Sequence, residues 1–160
     1  MEGMSIQDFL EASRTPMHEI EPNLYLGSLD AAENEKLLKS SGIKYVVQAL
    51  ERPSTYRFDN LTYYYVQIDD LARENMMQHL PGALNFIHSN LQRGDKVLVH
   101  CAAGVSRSAT IVIAYIMAKY NIPFEEAYAI VRSKRGCVFP NDGFRRQLRS
   151  AGPEELRKFL

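Results

Sequence analysis

Cysteine is scarce in this 160-residue chain: only Cys101 and Cys137 occur. That excludes a disulfide framework and leaves no Cys-x-x-Cys pair for zinc or redox chemistry. The four histidines, His18, His79, His88 and His100, lack the i, i+4 spacing that sets two ligands on one helix face, so neither a metal nor another cofactor is expected. An excess of charge is missing too. With 19 basic and 19 acidic residues, overall charge signals no nucleic-acid partner. Long apolar runs are also absent: the most apolar stretch, residues 109–118, is about half the length that crosses a bilayer, and the N-terminal MEGMSIQDFLE has no basic region leading into an apolar core. The expectation is an intracellular protein with no membrane span, cytoplasmic, with the nucleus also open.

What is present reads as one ordinary domain. Apolar residues make up 46% and charged residues 24%, close to globular averages, with no internal repeat or low-complexity tract. Residues 20–150 are taken as the domain, with an extension at 1–19 and a tail at 151–160. After a short N-terminal helical stretch, residues 20–26 read as two extended pieces around a Glu-Pro-Asn turn. A helix over 30–40 stops at Gly42, and 43–49 carries the β-branched run of a buried strand. Residues 51–60 form a polar loop, 62–68 a strand ended by Asp69 and Asp70, and 74–91 a helix whose apolar positions recur at helical spacing. A turn at Gly94-Asp95 leads into an apolar strand over 96–99, followed by helices over 106–120, 123–133 and 142–150. Strands alternating with helices argue for an α/β fold, a central, mainly parallel sheet flanked by helices, with its ligand site outside the carboxyl ends of the strands. The Asp69-Asp70 pair and Cys101 both fall at such ends.

The segment from Val97 to Ser108, VLVHCAAGVSRS, joins a buried strand to a helix through a tight loop. Loop N–H groups at Ala102, Ala103, Gly104, Val105 and Ser106, with the free N–H groups of the first helical turn, can converge on a phosphate. Arg107 supplies a planar fork for two phosphate oxygens. The same surroundings favour Cys101 as a thiolate nucleophile. A Walker loop is excluded, because Arg107-Ser108 stands where Gly-Lys-Ser/Thr is required. Thiolate attack on phosphorus needs a proton donor for the leaving alkoxide, which Asp70 or Asp69 can be.

His-Cys-x-x-Gly-x-x-Arg-Ser at 100–108 resembles the signature of the cysteine phosphatases. The wider pattern resembles the dual-specificity branch, in its small stand-alone form. The likeness spans roughly residues 20–148 and includes Asn23-Leu24-Tyr25-Leu26-Gly27, Asp70, the apolar helix after Ser108, Pro140-Asn141-Asp142-Gly143-Phe144 and Gln147-Leu148. It implies the protein tyrosine phosphatase fold and metal-independent hydrolysis of phosphotyrosine and of phosphoserine or phosphothreonine on a phosphorylated protein partner. It also implies the roles: Cys101 nucleophile, Arg107 transition-state clamp, Asp70 general acid and later base, Ser108 donor to the departing sulfur. His100 braces the loop and Asn141 holds it from outside. Arg135 falls where some relatives meet a second phosphate.

Plainer readings stand beside these. Asp69 serves as a turn former, Cys137 as a packed thiol, and Tyr63, Tyr64 and Tyr65 as strand residues alternating between faces. Arg132, Lys134 and Arg135 sit near a helix C-terminus, where the dipole alone accounts for them. A phosphoprotein-binding pseudoenzyme and a sulfurtransferase or arsenate-reducing enzyme remain as rivals. Lipid, RNA 5′-phosphate and glycan substrates stay open, as does the oligomeric state.

Overall fold

The computed structural model describes residues 5–160. Two strands, β1 (Met17–Glu21) and β2 (Leu24–Gly27), form a hairpin after the helix α1 (Ile6–Arg14). Then come α2 (Leu29–Ala32), α3 (Glu35–Ser41), β3 (Ile43–Leu50), β4 (Thr62–Gln67), α4 (Leu80–Gln92), β5 (Lys96–His100), α5 (Arg107–Tyr120), α6 (Phe124–Lys134) and α7 (Asp142–Arg157). The sheet runs β1-β2-β5-β3-β4, with β1 antiparallel to β2 and every other pairing parallel.

Burial on both faces explains the apolar strands. Val97 and Val99 of β5 point into the larger core with α4, α5 and α7, while Leu98 points into the smaller one with Ala31, Ala32 and Leu38. Helix α5 is apolar all round and every residue from Arg107 to Ala118 is buried, so it forms the spine of the domain. Its N-terminus is thereby fixed against the carboxyl end of β5, with the loop from Cys101 to Ser106 between them.

Several boundaries differ from expectation. The helix expected over 30–40 is two pieces, because the Asn34 side chain accepts the Leu37 N–H and starts α3 afresh. The helix expected from 74 begins at Leu80, with Pro81 in its first turn. Residues 69–79 instead form an irregular loop tied down by Gln147, whose Oε1 accepts from the Met76 and Met77 N–H groups at 2.8 and 3.2 Å and whose Nε2 donates to the Glu74 carbonyl at 2.8 Å. Residues 151–160, set apart from the sequence as a tail, are packed: Leu156 is buried in the main core after a break at Gly152, and Arg157 donates to the Ala118 carbonyl. The extension expected over 1–19 contains α1 and most of β1, and its first four residues lie outside the described part.

The three tyrosines lie on the edge strand β4 and are all partly buried, and they do not alternate simply between the two cores as expected. Tyr63 packs on the smaller core and Tyr64 and Tyr65 on the larger, and the Tyr65 hydroxyl donates to the Leu50 carbonyl.

Candidate functional site

The loop from Cys101 to Ser106 has every carbonyl bound from outside or by its own helix. His100 Nδ1 holds Cys101 O at 3.1 Å, the Leu29 N–H holds Ala102 O at 2.9 Å, and Arg135 holds Ala103 O and Gly104 O at 3.2 and 3.0 Å. The Phe139 N–H holds Val105 O at 2.7 Å, and Thr110 takes Ser106 O through both its N–H and its hydroxyl. A trans peptide is planar with C=O and N–H on opposite sides, so each outward carbonyl turns the following N–H inward. The sequence-based set Ala102, Ala103, Gly104, Val105 and Ser106 therefore forms a concave array of donors at the N-terminus of α5.

Gly104 makes the turn possible. Its φ is +70°, and a Cβ there would lie 2.6 Å from the Gly27 carbonyl oxygen and 2.7 Å from Arg135 Nη2. Its N–H donates to Cys101 Sγ at 3.3 Å, and Ser108 Oγ lies 3.0 Å from the same sulfur. Cys101 is 2% exposed, at the floor of the array. With the sulfur as a thiolate, both neighbours donate to it.

Arg107 starts α5 and folds back across the loop. Its Nη1 donates to Glu51 Oε2 at 2.7 Å and to the Ile68 carbonyl at 3.2 Å, while its buried Nε has no protein partner. The fork is thus fixed at one end with an edge left for an anion. Glu51 was read only as part of a polar loop. The ion pair with Arg107 holds its carboxyl below the usual range, and the signal that could have found it is the one that marked the Asp69-Asp70 pair: an acidic residue just past a parallel strand. Replacing Arg107 by lysine should cost roughly 10²–10³-fold in kcat on an aryl phosphate, because an ammonium offers no paired N–H fork. Rates near wild type would remove Arg107 from the site.

Asn141 joins the two halves of the site. Its N–H donates to Ser106 Oγ at 2.9 Å, its Oδ1 accepts the Phe144 N–H at 2.9 Å to cap α7, and its Nδ2 donates to Asp70 Oδ1 at 2.9 Å. Asp70 is thereby drawn toward the loop. The Asp69 N–H is instead taken by Glu74 within the 69–79 loop at 2.9 Å, a turn contact. Close approach of α7 adds to this: a Cβ at Gly143 would lie 1.9 Å from the Ala72 carbonyl oxygen.

His100 is fully buried and faces away from the anion side. Gln48 accepts the Ser54 N–H through Oε1 at 2.9 Å, so its Nε2 donates to His100 Nε2 at 3.1 Å, leaving the ring proton on Nδ1 for the Cys101 carbonyl. Burial pushes this imidazole down to about 4 from 6.5. The unfolded chain therefore holds a proton on this residue from 6.5 downward that the folded chain refuses until about 4, so stability falls as pH drops through that window, by about 3 kcal/mol in all. His100→Gln should flatten that part of the curve relative to wild type in denaturant titrations at pH 7 and pH 4.5. Parallel curves would contradict a buried neutral His100.

Two basic or thiol assignments change or sharpen. Arg135 is fully buried beneath the loop, with its donors committed to Gly104, Ala103, Thr15 and His18, so it presents no guanidinium to a second phosphate. Arg132 and Lys134 reach the surface around it, which made the three look alike in sequence. Cys137 is a free, fully buried thiol, and burial raises it away from ionisation.

A family model described as dual specificity phosphatase, catalytic domain, matches residues 24–153. Dual specificity protein phosphatase MPK-4 of Drosophila melanogaster is 38% identical over 150 residues, which are 92% of this chain and 39% of that protein. Dual specificity protein phosphatase 22 of Homo sapiens is 34% identical over 145 residues, 89% of this chain and 77% of that protein. The crystal structure of DUSP15 matches with a TM-score of 0.85 at 30% identity, covering 90% of this chain and 92% of that one. The chain thus spans about two fifths of the first relative and about three quarters of the second.

Proposed function

Because the chain belongs to the dual specificity phosphatase family, we propose that it hydrolyses phosphotyrosine and phosphoserine or phosphothreonine on proteins through a phosphocysteine at Cys101. The observation that carries this reading is the loop itself, five carbonyls turned out and a sulfur at the floor among inward donors. Cys101 Sγ attacks phosphorus while the bond to the ester oxygen breaks. Asp70, protonated, gives its proton to that oxygen, and Arg107 with the loop N–H groups meets the charge on the remaining oxygens. Asp70, now a carboxylate, takes a proton from water as that water attacks phosphorus. The P–S bond then breaks, with Ser108 donating to the departing sulfur, 3.0 Å away.

Arg107 and the loop N–H groups supply the positive potential at the reacting centre, so the step needs no metal. A thiol that must stay reduced supports action in the cytoplasm and nucleus. The test is phosphate release in EDTA from matched phosphotyrosine, phosphoserine and phosphothreonine peptides. Release from the peptides is the expected result. Release from a phosphoinositide or a 5′-phosphorylated RNA with none from any peptide would overturn the substrate class.

A further inference from the structure

We propose that Arg135 is a positioning residue of the phosphate loop: its guanidinium spans the Ala103 and Gly104 carbonyls from behind and so aims the Gly104 and Val105 N–H groups at the anion. The inference rests on the reading of that loop as the phosphate site. Nε and Nη2 of one rigid fork reach two consecutive carbonyls, at 3.0 and 3.2 Å. Peptide planarity then fixes the two N–H groups that follow, and the Gly104 N–H is seen where this requires, 3.3 Å from Cys101 Sγ.

The remaining nitrogen anchors the fork to the outer wall. Nη1 donates to the Thr15 carbonyl at 2.8 Å and to His18 Nδ1 at 2.9 Å. Thr15 caps the C-terminus of α1, the negative end of that helix dipole. Among the described residues no carboxylate pairs with Arg135, although its side chain is fully buried. A guanidinium kept only to stabilise a core would be expected beside an acid, since burying an unpaired charge is costly. Here carbonyl dipoles and a neutral imidazole satisfy its hydrogen bonds without cancelling its charge, and that charge lies directly under the anion site. Arg135 Nη2 also packs 2.7 Å from where a Cβ at residue 104 would stand, beside the Gly27 backbone.

The test uses the whole chain with Arg135→Gln and Arg135→Lys, reading kcat and KM on an aryl phosphate, tungstate affinity by calorimetry, and melting temperature. Arg135→Gln should lose roughly 10²-fold in kcat/KM, the scale of a misplaced catalytic array, with tungstate affinity falling in parallel because both depend on the same N–H groups. Arg135→Lys keeps the cation without the fork and should lose about tenfold in both, the worth of one charge-assisted hydrogen bond. A role confined to holding the fold together would lower the melting temperature and leave tungstate affinity and turnover per folded molecule unchanged, and that result would overturn the proposal. If the glutamine variant does not fold, the lysine variant decides, and values within twofold of wild type would overturn it. Tungstate binding needs no turnover, so if wild type hydrolyses no phosphoester the function proposed above fails while the tungstate arm still decides Arg135.

Discussion

Cys101→Ser should drop hydrolysis of aryl phosphates to background, a loss on the order of 10⁵-fold or more, while still binding tungstate. The two halves of this result have different causes. Binding survives because the anion is held by N–H groups fixed through outward carbonyl contacts, none of which involves the sulfur except that of Gly104. Turnover fails because a serine hydroxyl at that position has no base to ionise it. His100, its chain neighbour, gives its Nδ1 proton to the Cys101 carbonyl and accepts from Gln48, so the ring is engaged at both nitrogens. Ser108, 3.0 Å from Sγ, is a hydroxyl and takes no proton at neutral pH. Measured turnover within tenfold of wild type would remove Cys101 as nucleophile.

Asp70→Asn should cost about 10²–10⁴-fold in kcat on poor leaving groups, the usual span for general acid catalysis, and much less on an activated aryl phosphate. An alkoxide from phosphoserine cannot depart without a proton, whereas a strongly acidic phenol leaves almost unaided. Asn141 donates to Asp70 Oδ1 and is itself bonded to Ser106 of the loop, so the carboxyl is carried on the same support as the anion cradle. Asp69→Asn should cost little on either class, since the contact made at that residue is its backbone N–H to Glu74. The measurement is kcat across aryl phosphates of rising leaving-group pKa for both variants. A uniform fractional loss for Asp70→Asn, or a steeper dependence for Asp69→Asn, would reassign the acid.

The parts of this site that were legible in the sequence are those fixed by local chemistry. A strand, a glycine-containing turn and a helix start place Cys101 and Arg107 in one loop with no knowledge of the rest of the chain. The Asp69-Asp70 pair was legible because it follows a strand parallel to β3, which in turn pairs with β5, so the two strand ends lie on one side of the sheet; the choice of Asp70 over Asp69 came from the family resemblance alone. What was not legible depends on distant segments meeting. Glu51 and Arg107 are 56 residues apart, Gln147 and Met76 are 71 apart, and Arg135 and Thr15 are 120 apart. No period or spacing marks which guanidinium Glu51 will meet, or distinguishes the buried Arg135 from Arg132 and Lys134, three and one positions before it. The start of α4 differs for a related reason: Met77 stands at helical spacing from Leu80 and Leu84, but its N–H and that of Met76 are claimed by Gln147 of α7 rather than by a preceding turn.

The central claim is a covalent phosphoryl group on one sulfur, and acid-quenched mass spectrometry of the chain during turnover of an aryl phosphate tests it most directly. Peptide mapping should place a single phosphoryl group on Cys101, present in wild type within the first turnover and absent from Cys101→Ser. Steady turnover with no phosphorylated peptide, or with the group on Ser108 or Cys137, would contradict the account.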